Sequence, residues 1–119
     1  MQLKELGNLG ENIACDYLQN HEYQIIERNF KCRQGEIDVI AADLQKKELV
    51  FIEIKTRTSL NYGLPSEAVT KKKREHIFKS IEYYIYKNHI RNIAIRLDVM
   101  EIYLYRSSNK VNHIKKAFI

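Results

Sequence analysis

A chain of 119 residues has room for one domain and one core, and no internal repeat or linker divides it, so residues 1–119 read as a single domain. A hydrophobic fraction of 45% is enough to fold without disulfides or a structural metal, and with one proline and four glycines there is no low-complexity tract. The formal charge of +5, from 20 basic and 15 acidic residues, is compatible with a polyanionic partner but does not establish one. The opening Met1-Gln2-Leu3-Lys4-Glu5 has no apolar signal core and no run is long enough to span a bilayer, so a cytoplasmic protein without a membrane partner is expected. Cys15 and Cys32 lack metal-type spacing and read as free thiols.

In chain order, Leu3 to Asn20 reads as a helix, with Leu6, Leu9, Ile13 and Tyr17 recurring at steps of three and four. Gly7, Gly10 and Ala14 lie beside that stripe and would let the helix approach a sheet closely, while Glu11 falls at its edge. Tyr23 to Phe30 reads as a first strand, Arg33-Gln34-Gly35 as a turn and Glu36 to Ala42 as a second strand. Asp43 to Glu48 is polar and short enough for a hairpin connection. Leu49 to Thr56 is the most apolar strand and so the expected centre of the sheet. Thr58 to Pro65 reads as a loop. A long helix is predicted from about Thr70 to Asn88, with Val69, Lys73, Ile77, Ile81 and Ile85 spaced by four and Thr70 as N-cap. Ile93 to Met100 alternates as a fourth strand, which Ile102 to Tyr105 either continues or follows as a fifth. Val111 to Ile119 reads as a strand ending or one helical turn. Helix, three strands, helix and further strands predict an α/β layer with a mixed sheet.

The chemistry sits in Gly35-Glu36-Ile37-Asp38 and Phe51-Ile52-Glu53-Ile54-Lys55. Strand side chains alternate, so Glu53 and Lys55 point one way and Ile52 and Ile54 the other. If the second and third strands pair, Asp38, Glu53 and Lys55 converge at one end of a buried sheet. Charged groups sit in apolar strands when they are paired or bind something. Two carboxylates at one point suit magnesium or manganese, and a lysine beside them can orient water or steady negative charge. The bland alternative for the same three residues is an ordinary ion pair.

The order Gly10-Glu11-Asn12-Ile13-Ala14, Arg28-Asn29, Gly35 to Ala41, Phe51 to Arg57, Tyr62-Gly63-Leu64-Pro65 and Arg96-Leu97-Asp98-Val99, with about fourteen residues between Asp38 and the Glu-x-Lys, is more specific than any one piece. The chain resembles the YraN-like family of small PD-(D/E)XK, restriction-endonuclease-like proteins over nearly its full length. The resemblance implies a mixed β-sheet flanked by helices, and a nuclease-like domain whose catalytic residues are Asp38, Glu53, Lys55 and Glu11. Asp38, Glu53 and Glu11 would be the metal ligands, for Mg2+ or Mn2+.

The expected function is then a metal-dependent DNA endonuclease or phosphodiesterase, with branched or damaged DNA among the candidate substrates. The rival is a non-catalytic nucleic-acid-binding adaptor on the same fold. Glu36 would share the face of Asp38 in a regular strand, as ligand or as partner of an arginine. Arg57, Tyr62, Lys72 and Lys73 are candidate nucleic-acid contacts, with solvation as the alternative for Arg57 and the lysines. Asp98 beside Arg96 reads as a structural ion pair. The histidines at 21, 76, 89 and 113 show no ligand spacing and none is assigned to metal. A homodimer is compatible with the aromatic, mildly basic surface.

Overall fold

A computed structural model of the protein describes residues 2–58 and 70–117. The elements run α1 (Leu3–Asn20), β1 (Tyr23–Cys32), β2 (Gly35–Asp43), β3 (Glu48–Thr58), α2 (Lys71–Lys87), β4 (Ala94–Leu104) and β5 (Asn109–Ile114). The five strands form one sheet in the order β1-β2-β3-β4-β5. Neighbours are antiparallel except β3 and β4, which pair parallel from Glu48↔Ala94 to Thr58↔Leu104. A parallel pair needs a crossover, and α2 lies in it. The result is an α/β fold with a mixed sheet and two helices, in keeping with the restriction-endonuclease-like arrangement expected from the sequence.

The most apolar strand is the central one, because it is covered on both faces. Val50 and Ile52 pack with Ala14 and Leu18 of α1, and Leu49 and Phe51 pack with Ile77, Ile81 and Tyr84 of α2. The segment 102–104 continues β4 rather than starting a new strand, and the last strand is Asn109–Ile114. Thr70 caps α2 by accepting a hydrogen bond from the Lys73 N–H at 3.1 Å. Val69, the expected start of that helix's stripe, and the loop residues around Tyr62 lie outside the described residues.

Two glycines set the spacing of the layers. A Cβ at Gly10 would collide with the Thr56 side chain, whose Oγ1 and Cβ it would meet too closely, so α1 rests directly on β3 there. Of the other small residues in that stripe, Ala14 is fully buried, but Gly7 has no neighbour that a Cβ would touch. Gly35 ends the two-residue turn between β1 and β2 with φ +151, and a Cβ there would stand 3.0 Å from Ser80 Oγ on α2.

At the hairpin end of the sheet a buried ionic network replaces apolar packing. Arg96 donates to both oxygens of Asp98 (2.9 and 3.0 Å), to Asp43 and Glu48 (2.9 Å each) and to the Tyr23 hydroxyl (2.6 Å). Burial alone would raise the Asp98 carboxyl, but bonds from His113, Arg96 and the Lys116 N–H hold it below its ordinary range. The ion pair read from Arg96 and Asp98 is therefore present, and both residues are buried. His113 is part of it, 2.7 Å from Asp98 and edge-on to Tyr17.

Candidate functional site

The register of β2 and β3 creates the site. Regular pairing runs from Asp43↔Glu48 to Val39↔Ile52 and stops there. Beyond it Ile37 packs on the α2 side while Val39 packs on the α1 side, although a period of two would give them one face. The strand changes face at Asp38. Its Oδ2 accepts the Ile54 N–H at 2.8 Å, a backbone donor the interrupted ladder no longer engages. This brings the Asp38 carboxylate beside Glu53, as the spacing predicts.

Asp38 and Glu53 share the wall of a cleft of about 500 Å3 between the sheet end and the start of α2. Glu53 is 6% exposed, and its Oε1 is buried without a hydrogen-bond partner. Burial, and then the charge of Asp38, push its carboxyl up to about 8, against the pull of Lys73 and Lys55. Asp38 is raised as well, mainly by burial; the Ile54 bond works against the shift, and the charges of Glu11 and Glu36 add to it. Two carboxylates made unfavourable as anions in one cleft form a site short of positive charge.

Glu36 lines the same cleft although its strand is irregular there. Lys55 follows Glu53 by two on β3, at a half-buried position, and its charge is felt by Glu53 less than that of Lys73. Glu11 Oε1 stands 3.6 Å from Arg28 Nη2, which donates its hydrogen bond to Asn12 at 2.8 Å, so this Glu11 oxygen, like Glu53 Oε1, is buried without a hydrogen-bond partner. Among the described residues no three His, Cys, Asp or Glu side chains gather as a ready metal cage. The trio Asp38, Glu53 and Glu11 is thus not closed as a ligand set. Magnesium, however, is commonly held by one or two carboxylates with water and phosphate oxygens completing the shell. Asp38 and the orphaned Glu53 oxygen fit that pattern.

Lys72 and Lys73 are exposed and both line the cleft. Arg57 is held by Glu101 at 2.8 Å with its side chain 16% exposed, a poor position for a phosphate contact. Tyr62 lies outside the described residues. The sequence reading missed two cleft residues, Thr70 and His76. His76 Nδ1 is 3.0 Å from the Gln34 carbonyl, which fixes the ring against the β1–β2 turn. The one available signal was its spacing of three and four from Lys73 and Lys72 on a helix that follows the Glu-x-Lys strand.

The profile of the uncharacterised protein family UPF0102 matches residues 10–102, a span that contains Glu11, Asp38, Glu53 and Lys73. The chain belongs to this family. A UPF0102 protein of Caldanaerobacter subterraneus is 48% identical over 118 residues, covering 97% of this chain and 95% of that one. One from Caldicellulosiruptor bescii is 49% identical over 121 residues, 99% and 100% of the two chains. One from Clostridium botulinum is 49% identical over 118 residues, 97% and 94%. These UPF0102 relatives match the chain nearly end to end, so the match takes in the cleft and the Arg96 network alike.

Proposed function

We propose that this UPF0102 protein is a metal-dependent phosphodiesterase that cuts DNA, built on the PD-(D/E)XK plan. The observation that carries the reading is the meeting of Asp38 and Glu53 in a cleft rimmed by Lys72 and Lys73. The carboxylates call for a cation, and the lysines for an anion that would sit against it. A phosphodiester backbone supplies that anion. Bound Mg2+ or Mn2+ would contribute Lewis acidity and lower the pKa of a coordinated water.

Asp38, fixed by the Ile54 N–H, and Glu53 would hold the ion. Lys73 and Lys72 would seat the phosphate, and Lys55, on the Glu53 face of β3, would steady charge that builds up on it. Glu11 would act through its charge on Asp38. Two free thiols and a nucleic-acid substrate are in keeping with a cytoplasmic setting.

One observation favours the rival reading, a DNA-binding adaptor without cleavage: among the described residues no three His, Cys, Asp or Glu side chains gather as a ready metal cage, where the resemblance implies three ligands. Incubating the protein and Asp38→Asn with linear, nicked and four-way DNA, in manganese or in chelator, separates the two. Cutting that needs manganese and Asp38 supports the nuclease. Metal-independent binding to DNA without cutting supports the adaptor.

A further inference from the structure

A second hollow, of about 320 Å3, lies along α2 from the carboxylate cleft and is lined by Gln34, Lys79, Glu82, Tyr83 and Tyr86. Each hollow reaches the β1–β2 turn. Gly35 lines the first and Gln34 the second, and the Gln34 carbonyl is bonded to His76, which lines the first. On α2 the residues Lys72, His76, Lys79, Tyr83 and Tyr86 recur at steps of four, three, four and three, which is one continuous stripe. From His76 to Tyr86 the helix rises about 15 Å.

Two aromatic rings stand open on this stripe. Tyr86 is 77% exposed and Tyr83 36%. Tyr83 is braced from behind by Phe30, its ring stacked on it at 6.4 Å, and Phe30 in turn meets Tyr84 edge-on at 5.1 Å. A braced ring keeps its outer face presented at little entropic cost. The hollow therefore offers an aromatic face and the Lys79 ammonium, with Glu82 as the single acid in its lining.

We propose that this stripe is a track for single-stranded nucleic acid, in which unpaired bases stack on Tyr83 and Tyr86 and the backbone runs past Lys79 to the Asp38–Glu53 cleft. The inference rests on the proposed function, since it gives the strand that enters the cleft its path. Duplex DNA does not fit the same chemistry, because its base faces are already stacked on one another. An apolar protein partner does not fit it either, because the rings are interleaved with Lys79 and Glu82. Stacking on aromatic side chains beside cations is the usual way of holding a strand without reading its sequence. The substrate class that follows is DNA with an unpaired segment next to the cut.

The test is fluorescence anisotropy in chelator, using oligodeoxythymidylate and a blunt duplex of equal length, with the wild type, Tyr86→Ala, Tyr86→Phe, Tyr83→Ala/Tyr86→Ala and, as a remote control, Tyr105→Ala. Thermal melting accompanies each variant, and Tyr86→Ala guards against a folding defect from loss of the Tyr83–Phe30 stack. Tyr86→Ala is expected to weaken oligodeoxythymidylate binding roughly tenfold, the double variant more, with a far smaller change on duplex. Tyr86→Phe, which keeps the ring, and Tyr105→Ala are expected to bind the single strand as the wild type does. Unchanged single-strand binding by the folded alanine variants overturns the track, as does an equal loss on both probes. If the wild type cuts duplex in manganese yet has no affinity for the single strand, the track falls and the nuclease reading stands. If it neither binds nor cuts any DNA, both fall.

Discussion

Asp38 accepts a hydrogen bond from the backbone N–H of Ile54 at 2.8 Å, and so stands beside Glu53 at the point where β2 and β3 cease to pair. The bond uses one carboxylate oxygen and leaves the other available, while Glu53 Oε1 has no partner at all. Under the proposed function a divalent cation would satisfy both. Manganese or magnesium is therefore expected to raise the melting temperature in proportion to the logarithm of its concentration above Kd. Asp38→Asn should abolish that rise. Calorimetric titration of the two proteins checks it, and equal, negligible binding by both would remove the metal site.

The shift on Glu53 has a consequence for stability. Its carboxyl titrates near 8 in the fold against 4.5 as an ordinary glutamate. Between those values the native state holds a proton that the unfolded chain has released. Its contribution to stability is complete below the lower value, declines as pH rises, and is gone above about 8. The slope is at most about 1.4 kcal/mol per pH unit. Denaturation in chelator across this range should show the decline, and Glu53→Gln should flatten it. A wild-type profile that rises with pH throughout would contradict the burial of this pair.

Close approach at Gly10 predicts an unusual helix mutation. Replacing a helical glycine by alanine ordinarily stabilises by up to about 1 kcal/mol. Here the new Cβ meets Thr56, so Gly10→Ala should destabilise instead, by about 1–3 kcal/mol. Thr56→Ala, which removes the colliding Oγ1, should recover part of the loss in a double-mutant cycle, whereas Gly7→Ala should follow the ordinary rule.

Removing Arg96 leaves Asp98, Asp43 and Glu48 without their shared cation, two of them buried. Arg96→Ala is expected to cost about 3–5 kcal/mol. Arg96→Ala with Asp98→Ala should cost less than the sum of the two, because no unpaired buried charge of that pair remains. Urea titration at neutral pH measures both, and simple additivity would mean that the network contributes only packing.

Lys72 and Lys73 separate binding from chemistry. If both meet phosphates, Lys72→Ala/Lys73→Ala should lower the slope of log affinity against log salt by about 0.9 for each phosphate no longer neutralised. Lys55→Ala should leave that slope nearly intact and slow cleavage on the order of a hundredfold or more, as loss of one preorganised charge does. Single-turnover cutting and salt titration on the same preparations decide it. A larger loss of cutting from Lys73→Ala than from Lys55→Ala would move the assisting role to α2, where the stronger pull on Glu53 already lies.

Local pattern alone determined most of the elements. Periodicity and breakers placed α1, the hairpins and the crossover helix, because each strand's alternation and each helix's stripe records which face it buries. The apolar run 49–52 marked the central strand, and the spacing of Asp38 from Glu53 marked the pair in the cleft. Tertiary structure decided what those patterns do not encode. Whether β2 stays regular past Val39 depends on where its ladder with β3 stops, and that break is what turns Asp38 toward Ile54. Arg96 and Asp98 read as one local pair, yet Asp43, Glu48, Tyr23 and His113 join them only because the strands bring distant positions into one buried cluster. Arg57 read as a phosphate contact and is taken by Glu101, which lies on the neighbouring strand of the parallel pair. Lys72, Lys73 and His76 came to the cleft for the same reason: the crossover from β3 to β4 returns the start of α2 over the sheet end that carries the carboxylates, and no single-strand or single-helix period contains that return.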